Sequence, residues 1–168
     1  KGVTPADIKG IEDLHKLPFL TKADLREAYP YGLLAKPLKG CVRIQSTSGT
    51  TGRRVVAFYT QHDVDLWEDC CARAIVAAGG TNEDVCQVAY GYGLFTGGLG
   101  AHYGVENLGA TVIPASTGST EKHIRLIRDL KISGVACTPS YALCMAEALG
   151  KMGLTKEDIG LRIGAFGA

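Results

Sequence analysis

Val85-Cys86-Gln87-Val88-Ala89-Tyr90-Gly91-Tyr92-Gly93-Leu94-Phe95-Thr96-Gly97-Gly98 is the stretch from which the rest of the chain is read. Its first five residues read as a strand, and the next nine set three aromatics among four glycines where that strand ends. A helix is expected from Leu99 to Leu108, then a strand over Thr111-Val112-Ile113-Pro114. The segment Thr120 to Lys131 spaces Ile124, Ile127 and Leu130 between charges, an amphipathic helix. Val135-Ala136-Cys137 reads as a buried strand. Thr138-Pro139-Ser140 then caps a helix running to about Leu149. A short helical turn between Gly150 and Gly160 leads to a last strand, Leu161 to Phe166. Strands and helices that alternate across short connections predict an α/β fold, a mostly parallel sheet with helices on both faces. Ligands of such sheets sit beyond the carboxyl ends of the strands. Two glycine clusters, around residues 91–104 and 160–167, fall there.

Upstream, Thr60-Gln61-His62-Asp63 opens a helix with Val64, Trp67, Cys71, Ala74, Ile75 and Ala78 at helical spacing, and Gly79-Gly80 ends it. Trp67 is assigned to the core and His62 to solvent. Two strand-like runs, Cys41–Gln45 and Val55–Tyr59, precede that helix. Between them lies Ser46-Thr47-Ser48-Gly49-Thr50-Thr51-Gly52-Arg53-Arg54. Glycines let successive N–H groups turn toward one point, hydroxyls add donors and arginines add fixed positive charge. A concave set of amides beside cations suits a polyphosphate. The alternative is a polar hairpin turn. The P-loop of nucleotide triphosphatases does not fit, because only two residues separate Gly49 from Gly52 and no Lys-Ser or Lys-Thr follows. Residues 1–40 read as a helical arm and linker, with capping boxes at Thr4–Asp7 and Thr21–Asp24. The apolar connector Leu17-Pro18-Phe19-Leu20 is expected to pack on the main body, residues 41–168.

The 168 residues suffice for a real core, and 46% hydrophobic with 21% charged residues is ordinary for a globular protein. A net charge of +1, with neither sign blocked into a tail, argues against nucleic acid or an anionic membrane as the main partner. No apolar run approaches membrane-spanning length. The six cysteines show no C-x-x-C and no Cys/His spacing for zinc; most lie in apolar runs, so buried, reduced thiols in a cytoplasmic protein are expected. Lys1 and Ala168 both read as cut ends. Tyr90–Gly98 fits a pocket for a flat apolar acyl group or a turn whose aromatics plug the core, and the residues leave both open. His102, with no carboxylate or cysteine partner in view, reads as a structural hydrogen bonder. Glu68-Asp69 and Glu83-Asp84 read as surface pairs. Neither a nucleophile elbow nor paired catalytic carboxylates occur, which suits a reaction run by positioning and charge neutralisation.

The hydroxyl- and glycine-rich loop resembles the phosphate loop of the adenylate-forming (acyl-CoA synthetase) enzymes, Ser-Ser-Gly-Thr-Thr-Gly-Lys, with Arg53 in place of the usual lysine. Leu17–Arg26, Tyr90–Gly104, Gly109–Pro114, Thr138–Tyr141 and Phe166-Gly167-Ala168 resemble the phenylacetate-CoA ligase branch of that superfamily. The resemblance implies the large amino-terminal domain of such an enzyme. It implies that Ser46, Thr47, Ser48, Gly49, Thr50, Thr51, Gly52 and Arg53 hold ATP phosphates. It also implies that Tyr90, Phe95, Ala101 and Ala168 line an aryl pocket. The implied reaction joins an aryl carboxylate to coenzyme A through an acyl-adenylate, with ATP and Mg2+, in an enzyme that often forms homodimers. The family's later motifs, for adenine, magnesium and ribose, have no counterpart in these residues. The chain is therefore expected to be an amino-terminal excerpt, inactive alone and without a catalytic or metal-binding residue of its own. Two alternatives stand beside this: an adenylating enzyme for another acid, and a non-catalytic nucleotide-binding module.

Overall fold

The computed structural model describes residues 2–49 and 52–167. Helix α1 (Lys22–Glu27) is preceded by two 3-10 turns, Pro5–Asp7 and Ile11–Lys16. The Thr4 and Thr21 capping boxes both form, each threonine paired with the aspartate three residues on. The connector does not pack as expected. Phe19 is 94% exposed, and Leu17 and Leu20 are exposed as well. Six-residue and three-residue helical turns offer no apolar stripe wide enough to hold it.

Strands β1 (Arg43–Ser46) and β2 (Val56–Tyr59) pair antiparallel, Arg43 opposite Tyr59 and Ser46 opposite Val56. This two-stranded sheet stands apart from the main one. Helix α2 (Gln61–Ala77) begins at the Thr60 capping box. The predicted alternation then follows: β3 (Val85–Val88), α3 (Thr96–Asn107), β4 (Thr111–Ile113), α4 (Thr120–Asp129), β5 (Gly134–Cys137), α5 (Pro139–Lys151) and β6 (Ile163–Phe166). All three pairings in the order β4-β3-β5-β6 are parallel. Helix α3 starts three residues earlier than expected, because Phe95 takes an extended N-cap conformation and Thr96-Gly97-Gly98 join the first turn.

The two faces of this sheet separate by the period-2 alternation of its strands. Cys86 and Val112 meet Ile75 of α2 and Val105 of α3. Val135 and Cys137 meet Ile127 of α4 and Met145 of α5 on the opposite face. Among the described residues no helix is long and apolar enough to cross a membrane. Two cysteine expectations need correcting, since Cys70 and Cys144 are exposed, while Cys86 and Cys137 are buried. Glu83-Asp84 is not a surface pair either. Asp84 is 4% exposed; Ser133 Oγ donates to it at 2.6 Å and Thr81 N–H at 2.8 Å, and Arg162 forms an ion pair with it. Burial pushes this carboxyl up, but those hydrogen bonds together outweigh burial and bring it down to about 2.

Candidate functional site

The loop after β1 is built from bonds on both of its flanks. Ser46 N–H donates to Leu94 O at 2.9 Å, and Thr47 N–H donates to Val55 O at 3.0 Å. Val55 N–H returns a bond to Thr47 Oγ1 at 3.2 Å. Gly49 (φ 71°) and Gly52 (φ 130°) take left-handed conformations, and Gly52 N–H closes a turn onto Gly49 O at 3.2 Å. A side chain at Gly49 would meet Arg54 Cγ at 2.6 Å. Ser48, Gly52 and Arg53 open to solvent. Thr50 and Thr51, predicted for the same loop, lie outside the described residues.

The two arginines separate in role. Arg54 Nη1 donates to Thr47 O at 3.1 Å and Ser46 Oγ at 3.4 Å, so it braces the loop from within. Arg53 is exposed beside it. Arg54, expected like Arg53 to add positive charge, is in the folded chain the arginine bonded to Thr47 and Ser46.

Beyond the carboxyl end of β3, Tyr90, Phe95 and Ala101 line one cavity of about 510 Å³. Its floor is the α2/α3 face of the sheet, where Cys86 registers with Gly134 and Ile163, and Ala136 with Ala165. The space exists because Ala136 and Ala165 leave room above the strands, and Ala74 of α2 and Ala78 at its C-cap keep its side open. In the sequence Ala74, Ala78 and Ala136 stand only as helix and strand positions; the register of the sheet is what brings them together with Gly134 and Ala165. Gly167, next to the predicted Ala168, joins the same lining. Ala168 itself lies outside the described residues.

Tyr90 ties this rim together. Its Oη donates to Cys137 O at 2.6 Å and accepts from Gly167 N–H at 3.0 Å. The carboxyl ends of β3, β5 and β6 thus meet at one hydroxyl, which burial holds above the ordinary phenol range. Phe95 packs where a side chain on Gly97 would lie 3.1 Å from its ring, so Gly97 is the space the ring occupies. Trp67 stays out of the cavity lining, stacked on Tyr59 with ring centroids 5.7 Å apart.

His102 is a structural hydrogen bonder, as expected, but it does have a carboxylate partner. Its Nδ1 lies 3.2 Å from Tyr92 Oη and its Nε2 lies 3.3 Å from Glu106 Oε1, one helical turn on. A partner at i+4 was legible from helical spacing; the tyrosine arrives only through the loop. Burial and then the Glu106 charge push the Tyr92 hydroxyl up to about 12, so it stays protonated beside His102. Neither Tyr92 nor His102 lines the cavity, so the chain is a brace of α3 onto its preceding loop. Among the described residues no group of three or more His, Cys, Asp or Glu side chains could hold a metal ion. What the site offers is therefore amides, hydroxyls and arginine beside an apolar cavity.

No protein-family model matches the chain. It is 52% identical over 167 residues to a phenylacetate-coenzyme A ligase of Pseudomonas putida, covering 99% of this chain and 38% of that protein. It is likewise 52% identical over 168 residues to the phenylacetate-coenzyme A ligase of Escherichia coli K12, with the same two coverages. The chain spans 38% of the length of these curated relatives. Its fold superposes on 2-hydroxyisobutyryl-CoA ligase in complex with 2-HIB-AMP and CoA, with a TM-score of 0.88 and 28% identity over 99% of this chain and 37% of that one. The same enzyme in its postadenylation state gives a TM-score of 0.87 at 27% identity, over 99% of this chain and 36% of that one.

Proposed function

We propose that residues 41–168 form the phosphate-loop and acid-pocket portion of an ATP-dependent ligase that joins phenylacetate, or a near aryl relative, to coenzyme A. The observation that carries this is the joining of two predicted features. The loop from Ser46 is bonded directly to the segment that supplies Tyr90 and Phe95 to the apolar cavity. Likeness at 52% identity to phenylacetate-coenzyme A ligases supplies the class of acid.

In this reading the Ser46–Gly52 loop offers the β- and γ-phosphates its hydroxyls and those amides not already bonded within the fold, and Arg53, exposed and without a bond to the loop among the described residues, adds charge. The cavity receives the apolar end of the acid, with Tyr90 and Phe95 on its rim and Ala101 leaving room. The resemblance assigns Ala168 to the same pocket. The acid's carboxylate oxygen attacks the α-phosphorus and the bond to pyrophosphate breaks. The thiol of coenzyme A, giving up its proton, then attacks the acyl carbon and AMP leaves. Holding the acid and the phosphates at fixed separation is the work this chain's residues do, and positioning of that kind supplies much of a transfer barrier. Mg2+ is implied by the resemblance, but the described residues hold no carboxylate cluster suited to it, so no step is assigned through it. A homodimer in the cytoplasm completes the reading; six unpaired cysteines suit a reducing compartment.

Pyrophosphate release by the whole natural protein tests this, with ATP and magnesium, across phenylacetate, hydroxyphenyl and indole acids, 2-hydroxyisobutyrate and fatty acids. Release that requires an aryl acid, with thioester formed on adding coenzyme A, is the expected result. No release with any acid would leave a non-catalytic nucleotide-binding module as the better account.

A further inference from the structure

The bonds between the two loops converge on one side chain. Gln45, in β1 just before the phosphate loop, is 1% exposed, and its Nε2 donates to Phe95 O at 3.2 Å across 50 residues of sequence. The next residue repeats the link, Ser46 N–H to Leu94 O. Gln45 Oε1 is buried and makes no hydrogen bond among the described residues. A buried amide with one half unsatisfied is unfavourable for folding, so an apolar residue would suit this place better on packing grounds alone. Phe95 is at once the N-cap of α3 and a lining residue of the cavity. A displacement of the phosphate loop therefore pulls on the backbone that carries the Phe95 ring.

We propose that Gln45 is a positioning residue that couples occupancy of the phosphate loop to the shape of the acid cavity, so that nucleotide and aryl acid bind cooperatively. The proposal rests on the functional reading above. By linkage, the factor by which the acid tightens nucleotide must equal the factor by which nucleotide tightens the acid. Gln45→Leu removes the donor at similar volume, and Gln45→Met removes it with an unbranched side chain that can follow the path of the glutamine.

The test is calorimetric titration of the whole natural protein with an ATP analogue carrying a methylene bridge between its α- and β-phosphorus, with and without saturating phenylacetate. In the unsubstituted protein the acid is expected to tighten the analogue by about fivefold or more. In Gln45→Leu that factor is expected to fall to within about twofold of unity, while each ligand alone keeps its affinity within about threefold. Should Gln45→Leu fail to fold, Gln45→Met is expected to give the same loss of coupling. An undiminished factor in a folded variant overturns the proposal, as does a loss of both separate affinities with the factor unchanged, the mark of a merely structural residue. If the unsubstituted protein binds both ligands independently, the coupling is overturned and the functional reading stands. If it binds neither, the functional reading falls and takes the coupling with it.

Discussion

At the scale of single residues, the phosphate loop and the opposite end of the sheet show how unlike two charged sites can be. Arg53 is exposed and Arg54 is committed to Thr47 and Ser46, so the first is the free cation of the pair among the described contacts. Arg53→Ala is expected to raise the KM for ATP about tenfold while leaving that for the acid within about twofold, read from initial rates with each substrate varied in turn. Equal losses for both would remove Arg53 from the phosphate site. Asp84 works on stability instead. Its carboxyl titrates at about 2 in the folded chain against 3.8 when unperturbed. A depressed pKa stabilises fully above the unperturbed value and fades as pH falls through the folded one. Asp84→Asn is thus expected to cost about 2 kcal/mol near neutrality. The gap to the unsubstituted protein should close between pH 3.8 and about 2, as followed by denaturant unfolding at each pH.

At the scale of elements, the contact between α2 and α3 is made by glycine. A side chain on Gly104 would lie 2.6 Å from Cys71 Cβ and 3.0 Å from the Cys71 carbonyl carbon, and one on Gly100 would lie 2.6 Å from the Trp67 ring. Backbone cannot yield as a flexible side chain can, so the two positions differ. Gly104→Ala is expected to destabilise by about 1–3 kcal/mol, seen as a lower midpoint in thermal unfolding, despite the higher helix propensity of alanine. An unchanged or raised midpoint would mean the helices separate freely. Helix α3 itself was legible in the sequence to within a few residues, but its start was not. Thr96-Gly97-Gly98 reads as loop by propensity, and only the extended Phe95 N-cap and its bond from Gln45 bring those residues into the first turn.

For the whole molecule, the site is where two sheets meet. The β1–β2 pair delivers the loop proposed to hold phosphates and the parallel sheet delivers the cavity, and the bonds of Gln45 and Ser46 to Phe95 and Leu94 join them. The cavity's volume depends on small side chains from separate elements, Ala101 among them. Ala101→Leu is expected to raise the KM for phenylacetate about tenfold or more, with the KM for ATP within about twofold, because added methylenes take space from the acid alone. A matching rise in both constants would place Ala101 outside the acid pocket.

The sequence by itself determined the alternation of strands and helices, the capping boxes, the parallel order expected of βα units, and the two loops at strand ends. Each rests on neighbours within a few residues: period-2 and helical patterning, a threonine three residues before an aspartate, glycines after a strand. Only the tertiary structure decided which side chains share a site. It set Tyr90 Oη between Cys137 and Gly167, paired His102 with Tyr92, buried Asp84 under Ser133 and Arg162, and left Phe19 in solvent. These outcomes depend on contacts across tens of residues and on how much of an apolar segment the rest of the fold covers. No local pattern encodes that, since burial and pairing arise from packing between elements distant in sequence.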